Sequence, residues 1–435
     1  LLQESPGRYR RNAADLFLSG TFVRDHSRLS IVPDNGGDAL YVSENNARHA
    51  LSGDKVEYLL ISRGKYRGEA EVTDITKRCS AQQIVGTVEK AGTKETTLRV
   101  DSRAFDFRVY VPTDQTLGAK EGEKVVARLT DWPPYNTSPS GAVIEILGKS
   151  GENDTEMHAI LAEFGLPTHY PEELEKLADE IDDRISADEI ARREDFRDIT
   201  TFTIDPADAK DFDDALSLRR LSDGKWEVGV HIADVTHYVK PGSPIDREAY
   251  QRGTSVYLVD RTVPMLPERL CNQICSLRPN EEKLCFSVVF ELDDNGKVLK
   301  SHIARTVIRS DRRFAYEEAQ QIIESGKGDC ANEILTLNRL AMALRKQRFA
   351  HGAIDFDRQE MKFVIDEKGR PISVYTKESK EANKLIEEFM LLANRTVAET
   401  IGRVPKNRTP KPFVYRVHDN PDPEKMATLS EFVHR

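Results

Sequence analysis

A short motif that recurs at a fixed offset is the strongest constraint on how the first third of this chain folds. Tyr41-Val42 is followed by Gly53-Asp54-Lys55-Val56, and Tyr110-Val111 by Gly122-Glu123-Lys124-Val125, each step displaced by 69 residues. A looser match joins Gly20-Thr21-Phe22-Val23 to Gly86-Thr87-Val88. Short β-forming runs, such as Leu98 to Val100, Phe107 to Val111 and Lys124 to Leu129, are separated by Gly, Pro and Asp. A unit of about 65–70 residues with about five strands suits a small closed barrel of the OB or cold-shock type. The reading is an N-terminal tail (1–14) and two tandem barrels (15–78 and 79–150). Duplication beside a larger domain favours a nucleic-acid surface; a β-barrel without a ligand is the plain alternative.

From 151 to 197 the composition shifts to Glu, Asp, Ala, Leu and Arg. Met157, Ile160, Leu161 and Phe164 fall at helical spacing, as do Leu174 and Leu177, which predicts two short linking helices. The remainder, 198–435, reads as a mixed α/β domain. Trp226, Val228, Val230 and Ile232 alternate as in a half-buried strand. Ser222-Asp223-Gly224 is a turn signal that pairs this strand with Ala215 to Leu218. Leu385, Phe389, Leu392 and Val397 share one stripe of a long helix over 381–400. The fold class is therefore α+β and multidomain, as expected of 435 residues.

Bulk properties exclude some classes. At 39% apolar and 31% charged residues the chain is globular, with no run of about 18 apolar residues to cross a membrane. No secretory signal is visible at Leu1-Leu2-Gln3-Glu4. Five cysteines match no zinc spacing, so reduced thiols and a cytoplasmic, monomeric protein are expected. A net charge of −10 argues against coating nucleic acid by bulk attraction, but not against an enzyme with a local basic stripe.

The chemistry is concentrated in Asp205-Pro206-Ala207-Asp208-Ala209-Lys210-Asp211-Phe212-Asp213-Asp214, five aspartates in ten residues between β-forming stretches. Like charges about 4 Å apart repel by about 4 kcal/mol at an effective dielectric of about 20. A hard cation such as Mg²⁺ or Mn²⁺ relieves that repulsion. A solvated acidic loop is the bland alternative, although the interleaved Phe212, Ala215 and Leu216 argue for partial burial. A calcium loop fails for want of its Gly and terminal Glu. Asp211-Phe212-Asp213 has the spacing of a D-x-D phosphatase, but follows no apolar parallel strand. Two metals about 4 Å apart would serve phosphodiester hydrolysis with no Ser, Cys or His nucleophile.

Six ordered motifs then make the sequence specific. Asp205 with Asp211-Phe212-Asp213-Asp214-Ala215 is followed by His231-Ile232-Ala233-Asp234-Val235 and by Arg252-Gly253-Thr254-Ser255-Val256-Tyr257. Next come Pro264-Met265-Leu266-Pro267-Glu268 leading to Cys275-Ser276-Leu277, then Leu385-Ile386-Glu387-Glu388-Phe389-Met390 with Ala393-Asn394, and Arg416-Val417-His418-Asp419. This series resembles the ribonuclease R and ribonuclease II (RNB) family, nearest to ribonuclease R, and the two barrels resemble that family's cold-shock domains. The resemblance implies a processive 3′→5′ exoribonuclease acting on single-stranded RNA ends. It implies that Asp205, Asp211, Asp213 and Asp214 hold Mg²⁺, with Asp214 the most critical. It places Tyr257 on the 3′-terminal nucleotide and Phe356 in a base-stacking clamp, and makes Tyr316 and Glu387 channel residues. Core packing is the competing reading for Tyr257 and Phe356. Arg252 and Arg278 either contact phosphates or line a solvated face. The family's C-terminal part lies outside the sequence, so 198–435 is expected to be the N-terminal portion of a catalytic domain with little activity alone. A non-catalytic RNA-binding relative is the alternative.

Overall fold

The computed structural model describes the chain except for residues 1, 6–7, 11–16, 26–27, 64–67, 80–82, 103–106, 133–137, 355–359, 367–368, 405–407, 410, 416–419 and 435. Phe356 and the Arg416-Val417-His418-Asp419 motif therefore lie outside the described residues.

The repeat resolves into two closed five-stranded barrels. One is built from Leu18–Asp25, Arg28–Pro33, Leu40–Val42, Lys55–Arg63 and Gly68–Lys77; the other from Gln83–Ala91, Glu95–Val100, Arg108–Pro112, Glu123–Asp131 and Ser140–Lys149. In each the third strand closes against the fifth in parallel, at Tyr41 opposite Glu69 and Tyr110 opposite Ser140. The repeated residues occupy equivalent places. Val42, Val56, Val111 and Val125 are core, whereas Tyr41 and Tyr110 face outward. Gly53 (φ +90°) and Gly122 (φ +83°) both take the left-handed conformation that leads into the fourth strand. That positive φ explains why the glycine recurs, and in each barrel its N–H donates to the first strand, to Phe22 O at 2.7 Å and Val88 O at 2.9 Å.

Three helices follow where two were expected: α1 (Asn153–Glu163), α2 (Glu172–Asp179) and α3 (Ala187–Ala191). The third is too short to show periodicity and is capped by Ser186, whose hydroxyl accepts from Glu189 N–H at 3.2 Å. The apolar stripe of α1 is only partly used, with Leu161 buried and Phe164 exposed. Lys124, nearly buried, ties α1 to the second barrel by pairing with Asp101 at 2.8 Å and Glu156 at 2.5 Å. Residues 1–169 with 258–263 and 365–372 form one compact unit; 170–257, 264–364 and 373–435 form another.

The second unit is organised by a seven-stranded sheet. Its strands are β1 (Glu194–Asp195), β2 (Thr201–Asp205), β3 (Asp214–Arg220), β4 (Trp226–Ala233), β5 (Glu282–Leu292), β6 (Val298–Arg309) and β7 (Arg312–Ala315), in the spatial order β1-β6-β5-β4-β3-β2-β7. The outer pairs β1·β6 and β2·β7 are parallel and the inner ones antiparallel, including the expected β3–β4 hairpin. Helices α4 (Tyr316–Ser325), α5 (Ala331–Ala350) and α6 (Glu381–Gly402) cover one face, where Leu216, Val228, Val230, Phe290, Leu337, Leu385 and Phe389 form the core. The other face packs Ala215, Ala233, Cys285 and Val289 against Phe196, Leu270 and Leu277. Strand β4 is therefore central and, over residues 228–231, buried on both sides, not half-buried: Gly229 and His231 are enclosed along with Val228 and Val230, whereas Ile232, expected on the buried face, is 41% exposed.

Candidate active site

Strand β2 ends at Asp205 and antiparallel β3 begins at Asp214, so one sheet end presents both carboxylates, joined by the loop 206–213. Protein contacts hold that loop at both ends. On the first side, β7 lies parallel to β2 with Arg313 opposite Thr203 and Ala315 opposite Asp205. The Arg313 guanidinium donates to the carbonyls of Pro206 and Ala207, the latter at 3.1 Å, and its centre sits 5.3 Å from the Phe212 ring. On the second side, Phe212 N–H donates to Ser276 Oγ at 3.1 Å, and that hydroxyl donates to Lys210 O at 3.1 Å. Leu277 N–H closes on Phe212 O at 2.8 Å.

Burial, with the charges of neighbouring carboxylates added to it, raises the pKa values of three of these aspartates. Burial, followed by the charges of Asp205 and Asp213, pushes Asp214 up to about 7. Burial also lifts Asp205 to about 6, with Asp211 and Asp213 adding and the Thr203 hydroxyl and Arg313 opposing. Asp213, the most open of the four, is raised by desolvation and by Asp211. Asp205 Oδ2 is buried without a hydrogen-bond partner among the described residues. Tyr257 donates its hydroxyl to Asp211 Oδ2 at 3.1 Å while its ring stays 67% exposed. Desolvation and Asp211 push that phenol up to about 12. Tyr316, the first residue of α4, is half-buried and feels Asp214 and Asp205, which with burial also take it to about 12. Among the described residues, no three His, Cys, Asp or Glu side chains converge on one metal-sized position. The donor chemistry nonetheless fits a hard cation: clustered carboxylates, mutual repulsion and an unpartnered buried oxygen.

Other motif residues are structural. His231 is fully buried, with Nδ1 2.7 Å from Ser287 Oγ and Nε2 2.8 Å from Ser217 Oγ. Asp234 forms a buried pair with Arg193 at 2.7 Å. The Arg252 side chain is neither on a solvated face nor free: it is buried, bonded to Glu248 at 2.8 Å and to Pro264 O at 3.2 Å, and stacked over Tyr170. Arg278 remains exposed. Glu387 pairs with Arg348 at 3.2 Å where α5 meets α6, and no described interaction joins it to the aspartates. Sequence reasoning missed Arg313 and gave Ser276 no role. The first carries no local signal beyond a basic pair in a β-forming run, and the second was visible only as part of a motif.

The sequence profile described as RNB domain matches residues 193–435. This chain belongs to the RNB family. A second profile, a cold shock domain, matches 98–171, which spans most of the second barrel and α1. Ribonuclease R of Thermotoga maritima is 35% identical over 444 residues, covering 100% of this chain. The chain spans 61% of that relative's length. RNase R of Mycoplasma genitalium, solved in complex with ribose-methylated single-stranded RNA, superposes with a TM-score of 0.85 at 27% identity, covering 96% of this chain and 66% of that one. Yeast Ssd1, described as a pseudonuclease, shares the fold at a TM-score of 0.65 and 19% identity, covering 89% and 55% respectively. The RNB match and the two barrels establish the α+β, multidomain fold class.

Proposed function

We propose that this chain carries the aspartate site of a 3′→5′ exoribonuclease that hydrolyses single-stranded and structured RNA to nucleoside 5′-monophosphates, processively and as a cytoplasmic monomer. The observation that carries the reading is the acidic loop, where burial and the charges of neighbouring carboxylates raise the pKa values of Asp205, Asp213 and Asp214, with Asp211 bonded to an exposed Tyr257. Membership in the RNB family and the likeness to an RNA-bound RNase R support it.

The four aspartates would hold Mg²⁺, or Mn²⁺ in its place. One or two such cations supply Lewis-acid stabilisation of the phosphodiester and a water of lowered pKa. The chain's own residues do the rest. Asp214, at the start of a central strand, presents a carboxylate whose raised pKa signals a strong demand for positive charge. The exposed Tyr257 ring offers a face on which any base stacks, which suits a substrate read without sequence preference. Tyr316, which feels the charges of Asp214 and Asp205, would line the site. Phe356 is assigned to the same clamp and Glu387 to the channel on family resemblance alone.

The test uses 5′-labelled RNA and the complete protein. Ladder shortening from the 3′ end in Mg²⁺ is expected to stop in EDTA, and Asp214→Asn is expected to abolish hydrolysis while RNA affinity stays within about threefold. A non-catalytic RNA-binding protein is the second reading, favoured by the fold it shares with a pseudonuclease. Tight RNA binding with no Mg²⁺-dependent shortening would establish it.

A further inference from the structure

The acidic loop poses a mechanical problem. Five aspartates within ten residues repel one another, and the loop between β2 and β3 has no regular structure of its own to resist. Something in the protein has to keep its shape before a cation arrives. The side chain best placed to do so makes no described hydrogen bond to a carboxylate. Arg313 instead spends Nη2 on two successive backbone carbonyls, Pro206 and Ala207, at the point where the loop leaves β2. Its guanidinium also lies against the Phe212 ring, one residue from both Asp211 and Asp213. Bonding the backbone keeps the guanidinium off the carboxylate oxygens, and Asp205 Oδ2 has no hydrogen-bond partner among the described residues. A turn from Ala209 N–H to Pro206 O at 3.1 Å follows, and Ser276 then holds Lys210 and Phe212.

We propose that Arg313 is a positioning residue: with Ser276 at the far end it clamps the loop 206–212 in the form that keeps Asp211 and Asp213 at the sheet end that carries Asp205 and Asp214. The inference rests on the cation-binding reading above. Arg313 acts through the loop backbone, so its loss scatters the carboxylates without removing any of them. Lysine at this position keeps the charge but lacks the flat guanidinium that lies against Phe212 while reaching two carbonyls.

Mn²⁺ binding to the 435-residue chain, measured by calorimetry and by loss of the free-ion electron-spin signal, tests it without reference to activity. Arg313→Met is expected to raise the Mn²⁺ Kd about ten- to a hundredfold, as supporting partners of metal ligands generally do, with the thermal midpoint of the second unit unmoved. Hydrogen exchange at the Ala209 amide is expected to speed up in the same variant. Arg313→Lys is expected to recover part of the affinity, and Ser276→Ala to shift it in the same direction by less. Should Arg313→Met not fold, Arg313→Lys and Ser276→Ala carry the test. Wild type that binds Mn²⁺ while the folded variants bind within about twofold of it overturns the clamp. Wild type that binds no Mn²⁺ refutes the cation reading itself, and the clamp with it.

Discussion

Histidine 231 is expected to destabilise the second unit as pH falls from 7 to 5. It sits on β4 with no solvent exposure, edge-on to Phe196 at 5.0 Å, with Ser287 and Ser217 on its two nitrogens. The Ser287 hydroxyl continues to Thr306 Oγ1 at 2.6 Å, completing a buried polar chain that a neutral imidazole satisfies with one donor and one acceptor. Burial drives its pKa from 6.5 down to about 3. The folded pKa of this base is depressed, so between about 3 and 6.5 the unfolded chain holds a proton that the folded chain refuses. Stability is therefore lost as pH falls through that window, with a limiting slope of about 1.4 kcal/mol per pH unit. Integration from pH 7 to pH 5 gives about 2 kcal/mol, a figure unchanged for any folded pKa below about 4. The comparison is with His231→Gln, whose amide offers one donor and one acceptor but does not titrate. Urea unfolding is followed by Trp226 fluorescence, on the same strand, in a Trp132→Phe background. The nine other histidines and the carboxylates titrate alike in both proteins, so the difference in pH dependence isolates position 231. Wild type is expected to lose about 2 kcal/mol more than the variant between pH 7 and pH 5. Parallel loss in the two proteins would refute the neutral buried imidazole.

Three further outcomes are expected. Arg193→Met takes from Asp234 its buried ion-pair partner, leaving the Thr236 hydroxyl at 2.5 Å and Arg305 at 4.0 Å, and is expected to cost up to about 3–5 kcal/mol, with Arg193→Met/Asp234→Leu recovering most of it in the same urea assay. Gly229→Ala brings a methyl within 2.4 Å of both His231 Nε2 and Ser217 Oγ and is expected to lower stability by about 1–3 kcal/mol. A chain of residues 1–169 is expected to bind single-stranded RNA with an affinity that falls steeply with salt, and Tyr110→Ala to weaken it by about 1–3 kcal/mol in a filter-binding assay, since Tyr110 is an outward-facing aromatic of the second barrel.

What the sequence determined by itself is what local spacing encodes. The two barrels followed from a repeat whose valines must face inward and whose glycines must take positive φ, and both requirements are properties of neighbouring residues. The β3–β4 hairpin and the helix over 381–402 followed from turn residues and periodicity in the same way. Four aspartates could be named because they fall in one short run whose repulsion is evident from the order of residues. The tertiary structure decided what depends on residues far apart in the chain. Strand β4 became a doubly buried centre because helices from beyond residue 315 cover one face and the 245–277 segment the other. Asp234 and Arg252, both inside motifs, turned out to be committed to internal partners at Arg193 and Glu248, while Glu387 went to an ionic cluster with Arg348. Arg313 reaches the acidic loop only because β7 pairs in parallel with β2 across more than a hundred residues. Spacing along the chain records which side chains share a face; it does not record which strand lies alongside, and that pairing determines whether a charge is buried, bonded or left free to act.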